Sequence, residues 1–148
     1  MQRQSVAPED RTLRRIQPLF VVRDPKAPNG IRASSSAFQD DHDGSPLSAY
    51  LESVLLEGGL AHADVIDGKP SDWAVAGTCV SVFVAEEQQV VRDPVEGSPV
   101  PHKCDIAHAL VVGDKTSKGR RERIAKASPL LIVPKAPEDT EESTESFE

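Results

Sequence analysis

Two histidines, a cysteine and an aspartate fall within seven residues of the stretch VPHKCDIAHALVVG: His102, Cys104, Asp105 and His108. These side-chain types ligate metals and carry nucleophilic catalysis. Zinc needs four ligands converging at about 2.0–2.3 Å. In an extended stretch His102, Cys104 and His108 share a face, but a rise of roughly 3.3 Å per residue sets the Cα atoms of Cys104 and His108 about 13 Å apart. Only a turn through Lys103–Asp105 would close a site. The other metal-ligating candidates, Cys79, His42 and His62, supply no C-x-x-C or H-x-x-x-H partner. No metal and no cofactor is implied. A Cys–His nucleophile would need a thiolate beside an imidazole and a third group, here Asp105, to orient the ring. The plainer reading is a proline loop leading into a half-buried strand. Ile106, His108, Leu110 and Val112 would then share one face, with the His108 ring satisfied by backbone groups. A further reading makes His108 and His102 ligand-contacting or general acid–base residues, which an imidazole pKa near about 6.5 permits.

The stretch VVGDKTSKGRR reads as a strand, a glycine, a polar turn and a helix start. Free backbone N–H groups and the positive end of a helix dipole make such a junction an anion site. Its candidate ligand-binding residues are Lys115, Thr116, Ser117, Lys118, Arg120 and Arg121. The alternative is an ordinary solvated helix capped by Thr116 or Ser117. It is not a Walker A loop, because Gly113 and Gly119 lie six apart and Arg120 stands where Lys-Ser/Thr belongs. RASSSAF places Arg32 beside Ser34, Ser35 and Ser36. Arg32 and Ser34 join His108 and His102 as the candidate catalytic set. QDDHDG fails as a calcium loop: with Gly44 at the sixth position, Tyr50 occupies the place of the bidentate Glu. Asp64 and Asp67 in AHADVID read as a polar loop.

Taken together, RASSSAF, RDPVEGSP and IAHALVVGDKTSKGRRERIAKAS resemble a group of small uncharacterised bacterial proteins. That group has an Arg-x-Ser-Ser-x-x-Phe stretch, then Asp-Pro, Pro-Ala-His and a Gly-x-Lys turn before a basic helix. The matching positions are Arg32, Ser34, Ser35, Phe38, Asp93, Pro94, Ala107, His108, Gly113 and Lys115, over about half the chain. Ile106 stands where the group has proline. The resemblance implies a bacterial protein and no particular activity, and it raises His108 above an ordinary core histidine. ADP-ribosyl transfer enzymes also use an early arginine and a serine-rich strand, but their later acidic residue has no counterpart here.

Positioning these residues takes an ordinary set of elements. Leu19–Val22 reads as extended, stopped by RDPKAPNG with its prolines and Asn-Gly turn. IRASSSAF reads as a second strand. Ser45 and Pro46 open a predicted helix in which Leu47, Tyr50, Leu51, Val54 and Leu55 form one apolar face, ended by Gly58–Gly59. The alternative there is a strand over LSAYL. AVAGTCVSVFVA reads as one strand, with Val80, Val82 and Val84 on one face, and EEQQ turns it into a hairpin with VVRDP. IAHALVVG is a strand, SKGRRERIAKAS a basic helix and PLLIV a last short strand. The pattern is α+β: a small, mostly antiparallel sheet with about two helices.

The 148 residues suffice for one domain with a real core, which must rest on Val, Leu, Ile and Ala because only six residues are aromatic. The domain is expected over residues 10–136, after a disordered N-terminus at 1–9 and before a disordered acidic tail at 137–148. Glu138–Glu148 holds six acidic residues and no basic ones, so the body is nearly neutral although the chain carries −7. That tail is expected to cover the basic segment Lys115–Lys126. A near-neutral body with few aromatics argues against stand-alone nucleic-acid binding. No apolar run approaches the roughly 20 residues of a membrane helix, and no secretory signal is visible. Two cysteines read as reduced thiols, hence a cytoplasmic location. The expected function is an accessory or interaction protein docking an unknown protein partner or an anionic, phosphate-bearing ligand. The alternative is a hydrolase or transferase, which requires Arg32, one of Ser34–Ser36 and His108 or His102 in one cleft.

Overall fold

The computed structural model describes residues 6–40, 44–99 and 101–134. In chain order these form β1 (Arg11–Ile16), β2 (Val21–Arg23), β3 (Ile31–Ala33), β4 (Leu47–Leu51), α1 (Glu52–Glu57), β5 (Ala74–Cys79), α2 (Val80–Ala85), β6 (Gln89–Arg92), β7 (His108–Val112), α3 (Lys118–Lys126) and β8 (Leu130–Ile132), with single 3-10 turns between them. Six strands build one antiparallel sheet in the order β6-β7-β4-β1-β5-β8, and β2 pairs with β3 in a separate hairpin. This is the α+β fold that the sequence implies, with three α-helices among the described residues. None of them is long and apolar enough to cross a membrane.

Both faces of the sheet are covered, and side chains alternate between them. One face gathers Ile16, Leu47, Leu51, Ala76, Val111 and Leu130 beneath α2 (Val80, Phe83), α3 (Ile124, Ala125) and the turn at Ala37–Phe38. The other gathers Leu13, Tyr50 and Val75 beneath Leu55 of α1, Val65 of the 3-10 turn His62–Ile66, and Cys104 and Ala107. A sheet buried on both sides explains the first correction. Leu47–Leu51 is a strand, and α1 starts only at Glu52. Leu47, Ala49 and Leu51 point to one core while Tyr50 points to the other, so four nearly adjacent apolar residues imitate a helical stripe. The predicted stop holds: Gly59 takes φ 80° and Leu60 N–H donates to Leu55 O at 2.9 Å.

The second correction lies in AVAGTCVSVFVA. The strand ends at Cys79, paired with Arg11, the first residue of β1. Beyond that point no neighbouring strand remains among the described residues, and the backbone satisfies itself as α2. The first free N–H groups of α2 go to the preceding chain, Val80 N to Asp10 O at 2.9 Å and Ser81 N to Pro8 O at 3.0 Å. The helix buries Val80 and Phe83 and leaves Val84 exposed. It carries the chain across the sheet, so β6 pairs with β7 and not with β5, as the expected hairpin required. Two smaller differences follow the same logic. IRASSSAF is a strand only to Ala33 and then a 3-10 turn, Ser35–Phe38, and β7 begins at His108 after a 3-10 turn, Asp105–Ala107.

Residues 6–9, expected to fray, are tied down by Val6 N to Val90 O at 3.2 Å and by the Pro8 contact. Residues 1–5 and the acidic tail lie outside the described residues.

The helical assignment of 80–85 makes a prediction. Phe83→Ala should cost about 3–5 kcal/mol through the cavity it leaves. Val84→Asp should stay within about 0.5 kcal/mol, since that side chain faces solvent. Urea denaturation of the two variants checks this; a single strand over 74–85 would instead bury Val84 with Val80 and Val82.

Candidate functional site

β1 is a central strand that carries adjacent arginines, and adjacent residues of a strand point to opposite faces. Arg14 Nε donates to Ala37 O at 3.1 Å and Nη1 to Ser48 O at 2.9 Å. The register shared by β1 and β4 is Thr12↔Leu51 and Leu13↔Tyr50. Past it the two strands part, and the Arg14 guanidinium takes the Ser48 carbonyl that a continued ladder would have used. Arg15 turns to the other face, where Nε donates to Val65 O at 2.6 Å and the guanidinium lies 5.0 Å from the Tyr50 ring centre. Burial pushes the Tyr50 hydroxyl pKa up. Across the opening, Lys69 Nζ sits 5.0 Å from the Trp73 ring centre.

The result is a cleft of about 200 Å³ lined by Arg14, Arg15, Gln17, Phe20, Ser48, Tyr50, Lys69 and Trp73. None of these eight residues is acidic. A cation over an aromatic face is stabilised by the ring quadrupole and still presents its outer N–H groups to an anion. The chain's single tryptophan and single tyrosine both stand here. That pairing is the signal the sequence offers, and a helical face for Tyr50 conceals it.

The histidine stretch is stitched to itself and its neighbours. His102 Nδ1 accepts from Cys104 N–H at 3.1 Å, so Nε2 carries the proton and donates to Asp67 O at 3.2 Å. Asp105 accepts from His102 N–H at 2.9 Å. Cys104 is fully buried and burial pushes its thiol pKa up, away from a thiolate. His108 is different. Its Nδ1 donates to Asp93 O at 3.0 Å and lies 3.2 Å from the Asp93 carboxylate, and its ring meets Tyr50 edge-on at 5.6 Å. The structure thus brings Asp93 and His108 together. It does not bring them to Arg32, whose guanidinium pairs with Asp24 at 2.8 Å and with Glu122 of α3 at 2.8 Å, on the opposite side of the sheet. Ser34 is engaged through its backbone with Phe20 O, Ser35 is buried and Ser36 is exposed.

The predicted anion residues are largely used inside the fold. Lys115, 2 % exposed at its side chain, pairs with Asp40 at 2.7 Å and donates to Gly113 O. Thr116 donates to Asp114, Ser117 caps α3 by accepting from Arg120 N–H, and Arg121 Nη1 donates to Lys115 O. Arg120 lies 3.3 Å from Glu87. Lys118 is exposed. Lys115, Thr116 and Arg121 do share a second opening, with Gln39 and Asp40, of about 360 Å³. The Asp40 carboxylate beside Lys115 opposes an anion there.

A third cluster was not foreseen. Arg11 makes a two-pronged ion pair with Glu52, which also lies 2.6 Å from His62 Nε2. The Arg11 hydrogen bond, then that of His62, holds the Glu52 carboxyl below its usual value. Among the described residues no group of three or more His, Cys, Asp or Glu is arranged to hold a metal ion. No family model, curated protein or solved structure matches this chain.

Two outcomes follow. Lys115→Ala should destabilise the protein by about 1–3 kcal/mol by breaking a buried pair, whereas Lys118→Ala should be neutral within about 0.5 kcal/mol; thermal melts of both variants check this. Glu52 binds protons less readily folded than unfolded, so its contribution is present above its ordinary pKa and is lost as pH falls through the lowered one. Stability should therefore decline below about pH 4.5, and Glu52→Gln should flatten that decline. Urea melts across that range measure it.

Proposed function

We propose that this chain is a small accessory binding module, working in the cytoplasm, that takes an anionic, phosphate-bearing group into the cleft beside β1. One observation carries the reading: Arg15 and Lys69, each over an aromatic ring, line one opening with Arg14 at the gap between β1 and β4, and among the described residues its lining holds no acidic side chain. Its volume of about 200 Å³ is below the roughly 300–1,000 Å³ of whole-ligand pockets, so it suits a small anion or the charged end of a larger partner. Both cysteines are free thiols, in keeping with a reducing compartment. The hydrolase or transferase alternative gains the Asp93–His108 pair but no cleft shared with Arg32 and Ser34.

Trp73 is the only tryptophan, so its emission reports on this cleft. Titration with inorganic phosphate or a nucleoside monophosphate should change that emission saturably. Lys69→Gln, at an exposed position, should weaken the response, and Arg15→Gln with Lys69→Gln should weaken it at least about tenfold, or 1.4 kcal/mol, with unchanged far-UV circular dichroism. No response to either ligand, or equal binding by the double variant, would remove the reading.

A further inference from the structure

A wider opening than this cleft lies between the β2–β3 hairpin tip and the junction of α3 with β8. It measures about 710 Å³. Pro25, Ala27, Ile31, Ala127, Pro129 and Leu130 give it an apolar lining, and Arg23, Lys26 and Lys126 stand among the residues around it. The charges at this groove are unevenly used. Arg32 is held between Asp24 and Glu122. Asp24 is in turn occupied by Arg32 and by the Lys26 backbone N–H, which hold its carboxyl below the usual value. Arg23 and Lys26 are exposed, and among the described residues their side chains have no ion-pair partner. Lys126 is 60 % exposed and reaches Glu122 only at 3.8 Å. An apolar groove flanked by three available cations fits an acidic, extended peptide.

We infer that the groove's occupant is the acidic segment Glu138–Glu148 of the same chain. Three observations support this occupant over others. Its six carboxylates and lack of any cation complement Arg23, Lys26 and Lys126. Its point of departure is adjacent: the described chain ends at Pro134, just after β8, and Leu130 of β8 lines the groove. Its reach is sufficient, since residues 135–148 span at most about 50 Å when extended. The solvent face of α3, where the sequence alone places the tail, is the weaker host. Arg123 is held by both Glu86 oxygens, at 2.9 and 2.8 Å, and Arg120 faces Glu87 at 3.3 Å. Phe147 is the segment's one large apolar side chain, and Pro25, Pro28 and Pro129 are among the apolar residues that line the groove.

The test compares backbone amide NMR spectra of the full chain, of a chain ending at Pro134 and of the full chain carrying Arg23→Glu and Lys26→Glu. At low salt, truncation should shift the amides of Ile31, Ala127 and Leu130, and a synthetic peptide of residues 138–148 added to the truncated protein should reverse those shifts. The charge-reversed full chain should resemble the truncated one at the groove. Raising the salt to about 0.5 M should weaken peptide binding several-fold, because the Debye length contracts well below the roughly 10 Å at 0.1 M. Shifts confined to Lys118–Arg123, shifts confined to the cleft around Trp73, or no groove shifts at low salt would each overturn the inference. The Trp73 phosphate response should be the same with and without the tail, so this result and that of the binding cleft are read independently.

Discussion

A central strand with three arginines must find an acceptor for each guanidinium before the sheet can close around it. β1 meets that constraint with groups drawn from most of the molecule. Arg11 takes Glu52 in the first turn of α1, Arg14 takes the carbonyls of Ala37 and Ser48, and Arg15 takes the carbonyl of Val65 and the face of Tyr50. Hydrogen bonds from charged donors are worth about 1.5–3 kcal/mol each when made, and leaving a buried charged donor unpaired costs at least as much. The positions of α1, of the serine-rich turn, of the end of β4 and of the turn at His62–Ile66 are therefore coupled to one strand. The cleft proposed to bind anions is a by-product of the same constraint: it opens where Arg14 replaces the ladder between β1 and β4.

What was legible in the sequence divides along physical lines. β7, α3 and β8 were readable because their signals are local: an apolar run closed by Gly113, a Ser117 cap before a basic helix, and an apolar triplet after Pro129. β1 was not readable, because acceptors from distant segments override the polarity of Arg14 and Arg15. β4 and α1 merged into one apparent helix because burial on both faces removes the period-two signal. β5 and α2 merged into one apparent strand because β-branched Val80, Val82 and Val84 favour strands locally, while the absence of a pairing neighbour past Cys79 is a property of topology.

The candidate site was legible in pieces only. Composition revealed one tyrosine and one tryptophan, but not that they flank the same opening. The turn at Asp114–Ser117 leads into a helix capped by Ser117, one of the two caps the sequence offers. The partners of Lys115 and Arg120, namely Asp40 and Glu87, come from other parts of the chain and leave no local signal. Asp93 and His108 belong to separate sequence segments, and the pairing of β6 with β7 is what brings them within hydrogen-bond distance.

The arginines of β1 also bear on how the protein is made. Arg11 leaves the ribosome long before Cys79, its register partner, and Leu13 long before Tyr50. Until those partners are made, the segment Arg11–Ile16 has neither of the strands it pairs with in the fold, the condition in which apolar segments recruit other chains into intermolecular sheets. Cations at positions 11, 14 and 15 give two copies of this segment like charges, which disfavours their pairing in the way that gatekeeper charges do. The charges that find acceptors in the finished sheet are thus the same ones that oppose self-pairing of its first strand before β4 and β5 are made.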